Sequence, residues 1–314
     1  MVTTDARLIA LDWGTSALRA WLLDADGAVL DERATKQGVM QVTDGDFAGT
    51  YDTLVSDWTA AHGPLPALAC GMIGSRGGWA EAAYVDTPAD PATLAEQLTE
   101  ITTDHGPLSI VPGVMQRGGD GRLADVMRGE ETQVLGALAS RPELAEDSWL
   151  VLPGTHAKWV AVRDGRLSSF TTYMTGELYA VLSEHSILGR PAAEAGDSQD
   201  DEAFTLGITT ARDTGDAGGV SALFSARSRM LAGELAAGAT LSYLSGLLIG
   251  EELRSVFATG QTRPALCLIG DEALCVRYRA ALACFDLADV TTLADAARLG
   301  LWQIACAAGL LDKD

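Results

Sequence analysis

Two short segments of the chain carry the same turn in the same setting. Gly14-Thr15-Ser16-Ala17 and Gly154-Thr155-His156-Ala157 each follow an apolar run and precede an alternating one. A Gly-Thr turn inside a tight hairpin gathers backbone N–H groups and a hydroxyl at one point, which holds phosphate oxygens without much net positive charge. Asp12, at the end of the first apolar run, places a carboxylate beside the first turn, where magnesium bound through water would neutralise phosphates. Either turn alone is an ordinary hairpin feature; two copies could grip one nucleotide from both sides. The chain has no G-x-x-x-x-G-K-S/T segment, which excludes a P-loop enzyme.

Other residues have chemistry available to them. Gly129 is followed by Glu130-Glu131 at the start of a helical stretch. Neighbours on a helix point about 100° apart, so one of the two can face a reactant while the other only favours the helix dipole. Lys158, one of three Lys against nineteen Arg, lies three residues after Thr155, where strand alternation lets it reach the same side or leaves it exposed. Arg76 sits in the loop Gly74-Ser75-Arg76-Gly77-Gly78-Trp79; a planar guanidinium suits a carboxylate, or simply ties the loop down. The run Leu266 to Ile269 ends at Gly270-Asp271 before a helical stretch, as a buried strand meeting a helix cap also would.

The elements that must position these groups read as α/β. Strands are predicted at Leu8–Leu11, Ala17–Leu23 and Ala28–Leu30, with Asp26-Gly27 as a hairpin turn. The opening pattern returns at 149: strands at Leu150–Leu152, Ala157–Val162 and from Leu167, with Asp164-Gly165 repeating the turn. Between the copies, periodicity predicts a helix over Asp46–Ala61 with Phe47, Tyr51, Leu54, Val55 and Trp58 on one face. A strand at Ala67–Ile73, a helix at Pro91–Ile101, a strand at Leu108–Met115 and a helix at Glu130–Ser140 follow. After the second copy, helices are predicted at Gly176–Leu188, Ser221–Ala236, Ala239–Thr259, Glu272–Ala283 and Leu293–Leu311, with a strand at Ala265–Ile269 and a solvated acidic loop at Gly196–Glu202. The boundary falls near residue 140, giving domains 1–140 and 141–314.

Composition narrows the function. The 314 residues carry 43 acidic against 22 basic side chains, a net charge of −21 that repels nucleic acid and acidic membrane surfaces. No signal peptide is visible at the N-terminus, and the longest uncharged apolar stretch, Leu235–Gly250, is shorter than a membrane span. Five cysteines in apolar strings, with no C-x-x-C pair, fit buried thiols in a reducing cytoplasm. The four His lack zinc-ligand spacing.

With these segments in view, the chain resembles the 2-dehydro-3-deoxygalactonokinase family of the acetate and sugar kinase, heat-shock ATPase and actin superfamily. The carrying stretches are Ala10–Ser16, Cys70–Trp79, Asp125–Gln133, Leu152–Trp159 and Thr175–Leu178. The resemblance implies a two-domain actin-like ATPase fold (a duplicated ribonuclease H-like unit) with the active site in the interdomain cleft and the last helix returning to the N-terminal domain. It implies a cytoplasmic kinase that uses ATP and Mg2+ to phosphorylate the 6-hydroxyl of 2-dehydro-3-deoxy-D-galactonate. On that reading Glu130, favoured over Glu131, is the base. Gly14, Thr15, Ser16, Gly154, Thr155, His156 and Lys158 hold phosphates, Gly270 and Asp271 the adenosine, and Ser75, Arg76 and Trp79 the sugar acid. A phosphohydrolase of the exopolyphosphatase or guanosine-pentaphosphatase type on the same fold is the alternative, with a non-catalytic actin-like module third. A homodimer is compatible with the sequence.

Overall fold

The structure, a computed structural model, describes residues 5–119, 121–214, 218–258, 264–294 and 296–311. Three strands open it as an antiparallel meander: β1 (Ala6–Trp13), β2 (Leu18–Asp24) and β3 (Val29–Thr35). The β2–β3 turn closes because Asp24 Oδ1 accepts from the N–H groups of Asp26 and Ala28, both at 2.9 Å, while Gly27 takes φ 76°. Helix α1 (Phe47–His62) starts where the Asp46 side chain accepts from Gly49 N at 2.9 Å. It buries the five residues expected from the periodicity, and each such apolar side chain contributes about 1.5–3 kcal/mol on leaving water.

Strand β4 (Ala67–Cys70) runs parallel to β1. Then come β5 (Tyr84–Asp86), α2 (Pro91–Ala95), β6 (Thr99–Thr103), β7 (Gly106–Ile110), β8 (Gly113–Gln116), β9 (Asp125–Met127) and α3 (Glu130–Ser140). The helix expected over Pro91–Ile101 stops at Ala95, because the β-branched Thr99, Ile101, Thr102 and Thr103 pair with β7 instead. The strand expected at Leu108–Met115 is two strands of different sheets, separated at Val111-Pro112. The first sheet has the order β3-β2-β1-β4-β7-β6, and a small sheet has β5-β8-β9.

The second meander is β10 (Asp147–Leu152), β11 (Ala157–Arg163) and β12 (Arg166–Tyr173), turned at Asp164 (φ 52°) and Gly165 (φ 73°). Helices α4 (Thr175–His185), α5 (Arg190–Ala195), α6 (Asp201–Asp213), α7 (Gly218–Ala222), α8 (Ser225–Leu231) and α9 (Thr240–Phe257) follow. The chain continues through β13 (Ala265–Ile269), α10 (Glu272–Ala283), β14 (Thr291–Leu293) and α11 (Ala297–Ala307). The helix expected over Ser221–Ala236 is broken into α7 and α8, and the expected start at Leu293 belongs to β14. Thr259, the expected end of α9, lies outside the described residues. The sheet order β12-β11-β10-β13-β14 repeats β3-β2-β1-β4-β7. The duplication is therefore one of topology as well as of sequence.

The chain separates into two compact units: residues 1–150 with 160–171 and 295–314, and residues 151–159 with 172–294. This division is discontinuous in sequence, unlike a single cut at residue 140. In the first unit α11 packs on α3 without intervening side chains. A Cβ on Gly136 would run into the carbonyl of Ala296, and one on Gly300 into that of Thr132. In the second unit α6 and α9 approach as closely through Gly207 and Gly246. Cys70, Cys267 and Cys275 are buried as expected, but Cys284 is half-buried and Cys306 is exposed on α11. Among the described residues no helix is long and apolar enough to cross a membrane.

Candidate active site

In the first unit the turn after β1 is closed by Gly14 N donating to Ala17 O at 2.9 Å, which leaves Thr15 and Ser16 exposed. It is braced from behind. Val39 N donates to Gly14 O at 3.0 Å, Met40 N donates to Thr15 O at 3.1 Å, and Gly38 lies against the Thr15–Ser16 backbone so closely that no Cβ fits. A Cβ on Gly14 itself would make only ordinary contact, 3.6 Å from Ala17 O.

Asp12, next to last in β1, stands opposite Arg19, whose Nη2 donates to Asp12 Oδ2 at 2.8 Å. Beneath it Gly71 (φ 94°) lets three chain ends converge. A Cβ there would stand 2.8 Å from Trp13 O, and one on Gly129 would stand 3.1 Å from the Gly71 Cα. The start of α3 is thereby pressed against the end of β1.

The two carboxyls of α3 have different surroundings. Glu131 is 1 % exposed; its carboxyl accepts from Gly129 N (2.7 and 2.9 Å) and from Thr132 Oγ1 (3.1 Å). Burial, reinforced by the neighbouring Glu130 charge, pushes Glu131 up to about 7. Glu130 is partly exposed and accepts from Arg128 N at 3.0 Å. Cys70, buried in the same place, has its thiol held well up by burial and by Asp12 and Glu131, so it stays protonated.

The loop after β4 is held by its own backbone, with Ser75 N donating to Met72 O, Gly78 N to Ser75 O and Trp79 N to Ile73 O. Trp79 packs inward: its ring centroid is 5.7 Å from Tyr51, 6.3 Å from Trp13 and, stacked, 6.5 Å from Phe47. Arg76 is exposed and has no hydrogen bond or ion pair among the described residues. Arg128 joins this loop to α3, with Nη2 donating to Ala82 O at 2.7 Å and its guanidinium 4.4 Å above the Tyr84 ring.

In the second unit a cavity of about 700 Å³ opens between the turn after β10 and helix α10. Its lining includes Gly154, Thr155 and Gly176 beside the turn, Asp271, Leu274 and Arg277 at α10, and Tyr179, Asp197, Gln199 and Ile249. Thr155 and His156 are exposed, and a Cβ on Gly154 would meet nothing within 4 Å. The His156 ring pairs with Glu177, and Lys158, 4 % exposed, donates from Nζ to His156 O at 3.1 Å. Gly270 takes φ 140° at the end of β13, and Asp271 caps α10 by accepting from Leu274 N at 3.1 Å. Asp271 is therefore both a helix cap and part of the cavity wall.

Asp12, Gly14, Thr15, Ser16, Ser75, Arg76, Trp79, Glu130 and Glu131 thus belong to the first unit, and Gly154, Thr155, His156, Lys158, Gly270 and Asp271 to the second. Sequence reasoning missed Arg19, the Gly38 brace and the carboxyl of Glu252 behind the cavity. The solvated loop expected at Gly196–Glu202 is an exposed loop up to Asp200, where Asp197 and Gln199 also line the cavity, and Asp201 begins α6. Arg19 was signalled only by register, two residues beyond the turn and opposite Asp12.

A family model described as 2-keto-3-deoxy-galactonokinase matches residues 12–304. The probable 2-dehydro-3-deoxygalactonokinase DgoK1 of Rhizobium meliloti (strain 1021) is 41 % identical over 284 residues, 90 % of each chain. The 2-dehydro-3-deoxygalactonokinase of Escherichia coli (strain K12) is 36 % identical over 289 residues, 92 % of this chain and 93 % of that one. A crystal structure of a Sinorhizobium meliloti protein described as a 2-dehydro-3-deoxygalactonokinase superposes with a TM-score of 0.87 at 38 % identity, covering 96 % of this chain and 98 % of that one. Nothing in these relationships supports a phosphohydrolase. The match runs from Asp12 to Ile304, and the chain belongs to the 2-keto-3-deoxy-galactonokinase family.

Proposed function

We propose that the protein transfers the γ-phosphoryl group of ATP to the 6-hydroxyl of 2-dehydro-3-deoxy-D-galactonate in the cytoplasm, giving the 6-phosphate and ADP in galactonate breakdown. The observation that carries this reading is the 700 Å³ cavity with a Gly-Thr turn at its end, in a chain of this kinase family. Gly14 and Gly154 have neither a positive φ nor a steric demand of the fold to explain them. Close approach of phosphate to backbone is what a glycine would then serve.

In this reading the turns Gly14-Thr15-Ser16 and Gly154-Thr155-His156 hold phosphate oxygens and Lys158 adds a positive charge. Gly270 and Asp271 flank the adenosine. The sugar acid meets Ser75 and Arg76 of the loop, which the packed Trp79 anchors. Glu130 accepts the proton of the 6-hydroxyl as its oxygen bonds to the γ-phosphorus and the bond to the β,γ-bridging oxygen breaks. The division of labour follows domains 1–140 and 141–314, and assembly as a homodimer is compatible with it.

Among the described residues no cluster of three His, Cys, Asp or Glu side chains is placed to hold a metal. One half-buried carboxylate, Asp12, fits a magnesium ion that keeps waters and is carried mainly by phosphate. When bound, that ion would offset negative charge on the transferring group.

An ATP-coupled screen of 2-keto-3-deoxygalactonate, its gluconate epimer, galactonate and neutral hexoses tests the proposal. The 2-keto-3-deoxy acid should turn over fastest. Fastest turnover of glucose or galactose, or phosphate release without any acceptor, would overturn it.

A further inference from the structure

Glu252 is a carboxyl with no role in the chemistry above, 2 % exposed on helix α9. Leaving a carboxyl there costs desolvation, and burial indeed pushes its pKa up. Three donors converge on it, each from a different element. Trp159 Nε1, on β11, donates to Oε1 at 2.7 Å. Tyr278 OH, on α10, donates to Oε2 at 2.8 Å, and Thr175 Oγ1, the first residue of α4, donates to the same oxygen.

Two of these donors, Thr175 and Tyr278, line the cavity. Thr175 leads directly to the phosphate turn. Its neighbour Gly176 lies so near that a Cβ would stand 2.5 Å from Gly154 O, and Glu177 N donates to Thr155 O at 2.9 Å. Tyr278 leads to helix α10, whose Leu274 and Arg277, with the cap residue Asp271, also line the cavity.

We infer that Glu252 is a positioning residue for the nucleotide: by tying Thr175 and Tyr278 to Trp159, its carboxyl fixes the spacing between the phosphate turn and the α10 wall of the cavity. This rests on the nucleotide reading of the cavity. A small misplacement of binding groups far from the reacting atoms is enough to weaken a bound state. The role therefore predicts a change in nucleotide affinity rather than in the chemical step.

The test measures kcat, KM for ATP, KM for the sugar acid and melting temperature in Glu252→Gln, Tyr278→Phe and Gly176→Val. Glu252→Gln should raise KM for ATP about tenfold, with kcat within about threefold and KM for the sugar acid unchanged. Tyr278→Phe should raise KM for ATP less, and the two changes combined should give less than the product of their separate effects. A purely structural carboxyl would lower the melting temperature and leave KM for ATP alone in both variants, which overturns the inference. If Glu252→Gln does not fold, Tyr278→Phe, which deletes one hydroxyl, decides by the same criterion. Gly176→Val intrudes on the phosphate turn directly. If it alone raises KM for ATP, the role of Glu252 falls and the nucleotide reading stands; if none of the three does, both fall.

Discussion

Arg19 and Asp12 face each other across the first hairpin, with the guanidinium Nη2 2.8 Å from the carboxylate Oδ2. The pair is half-buried, at 37 % and 18 % side-chain exposure, so its geometry matters more than its modest net strength. Arg19 holds the Asp12 carboxylate in one orientation at the mouth of the first turn. A cation arriving with phosphate would have to share that carboxylate with Arg19.

Asp12→Asn keeps the size of the side chain and removes its charge. Turnover should fall by about 10²-fold or more while the fold persists, and a magnesium titration should no longer restore the rate. Normal activity across that titration would take Asp12 out of the site.

Glu130 and Glu131 should separate cleanly. Glu130→Gln should lower kcat by about 10²–10⁴-fold with little change in nucleotide affinity. Glu131→Gln should stay within about tenfold of the parent, because the buried Glu131 carboxyl is taken up by Gly129 and Thr132. Steady-state kinetics of both variants and the double mutant decide it; the reverse pattern would pass the role to Glu131.

Glu131 also sets a pH dependence of stability. Its carboxyl is raised in the folded chain from 4.5 to about 7, so the folded state holds the proton more tightly than the unfolded one. The stabilising contribution is fully present below about 4.5 and is lost as pH rises through about 7. Denaturant unfolding at pH 5 and pH 8 should show the parent losing stability relative to Glu131→Gln across that interval. Parallel curves would mean that Glu131 titrates normally.

Two glycine changes at the proposed phosphate turns should both weaken ATP binding but differ in their effect on stability. Gly154→Ala meets nothing within 4 Å, so the melting temperature should hold while KM for ATP rises. Gly38 has an ordinary φ of −62° but no room for a Cβ against Thr15 and Ser16. Gly38→Val should therefore displace the first turn, lowering both the melting temperature and ATP affinity. A Gly154→Ala enzyme with unchanged KM would remove phosphate from that turn.

Arg76, exposed and without a partner among the described residues, should be replaceable at little structural cost. Arg76→Gln should raise KM for the 2-keto-3-deoxy acid by about tenfold or more, the size of a lost charge-assisted hydrogen bond, and leave KM for ATP unchanged. An unchanged sugar-acid KM would send the carboxylate elsewhere.

The meanders were legible because their turns demand particular residues. Asp164 and Gly165 both take positive φ, and few pairs other than Asp-Gly do so readily. Helix α1 was legible because its five buried side chains recur with the helical period. What escaped were groups whose neighbours come from distant segments. Glu252 is four residues after Leu248 on the buried stripe of α9. That is a signal of a buried acid, but its partners Trp159, Thr175 and Tyr278 have no sequence relation to it. The stretch from Gly196 read as solvated because it is polar, and it is exposed; that Asp197 and Gln199 also border a cavity is not something polarity alone tells. The two adjacent Glu of α3 were apparent, but the burial of Glu131 and the partial exposure of Glu130 were not.

The contact between Gly136 and Gly300 ties the helix bearing Glu130 to a segment more than half the chain away. A nearby partner could form early; this one requires closure of a very long loop before α3 reaches its final seat. The first Gly-Thr hairpin and its Gly38 brace, all within the first forty residues, face no such delay. During refolding, the first hairpin should thus form before α3 reaches its seat, and the arrival of α11 should be the event that fixes the helix bearing Glu130.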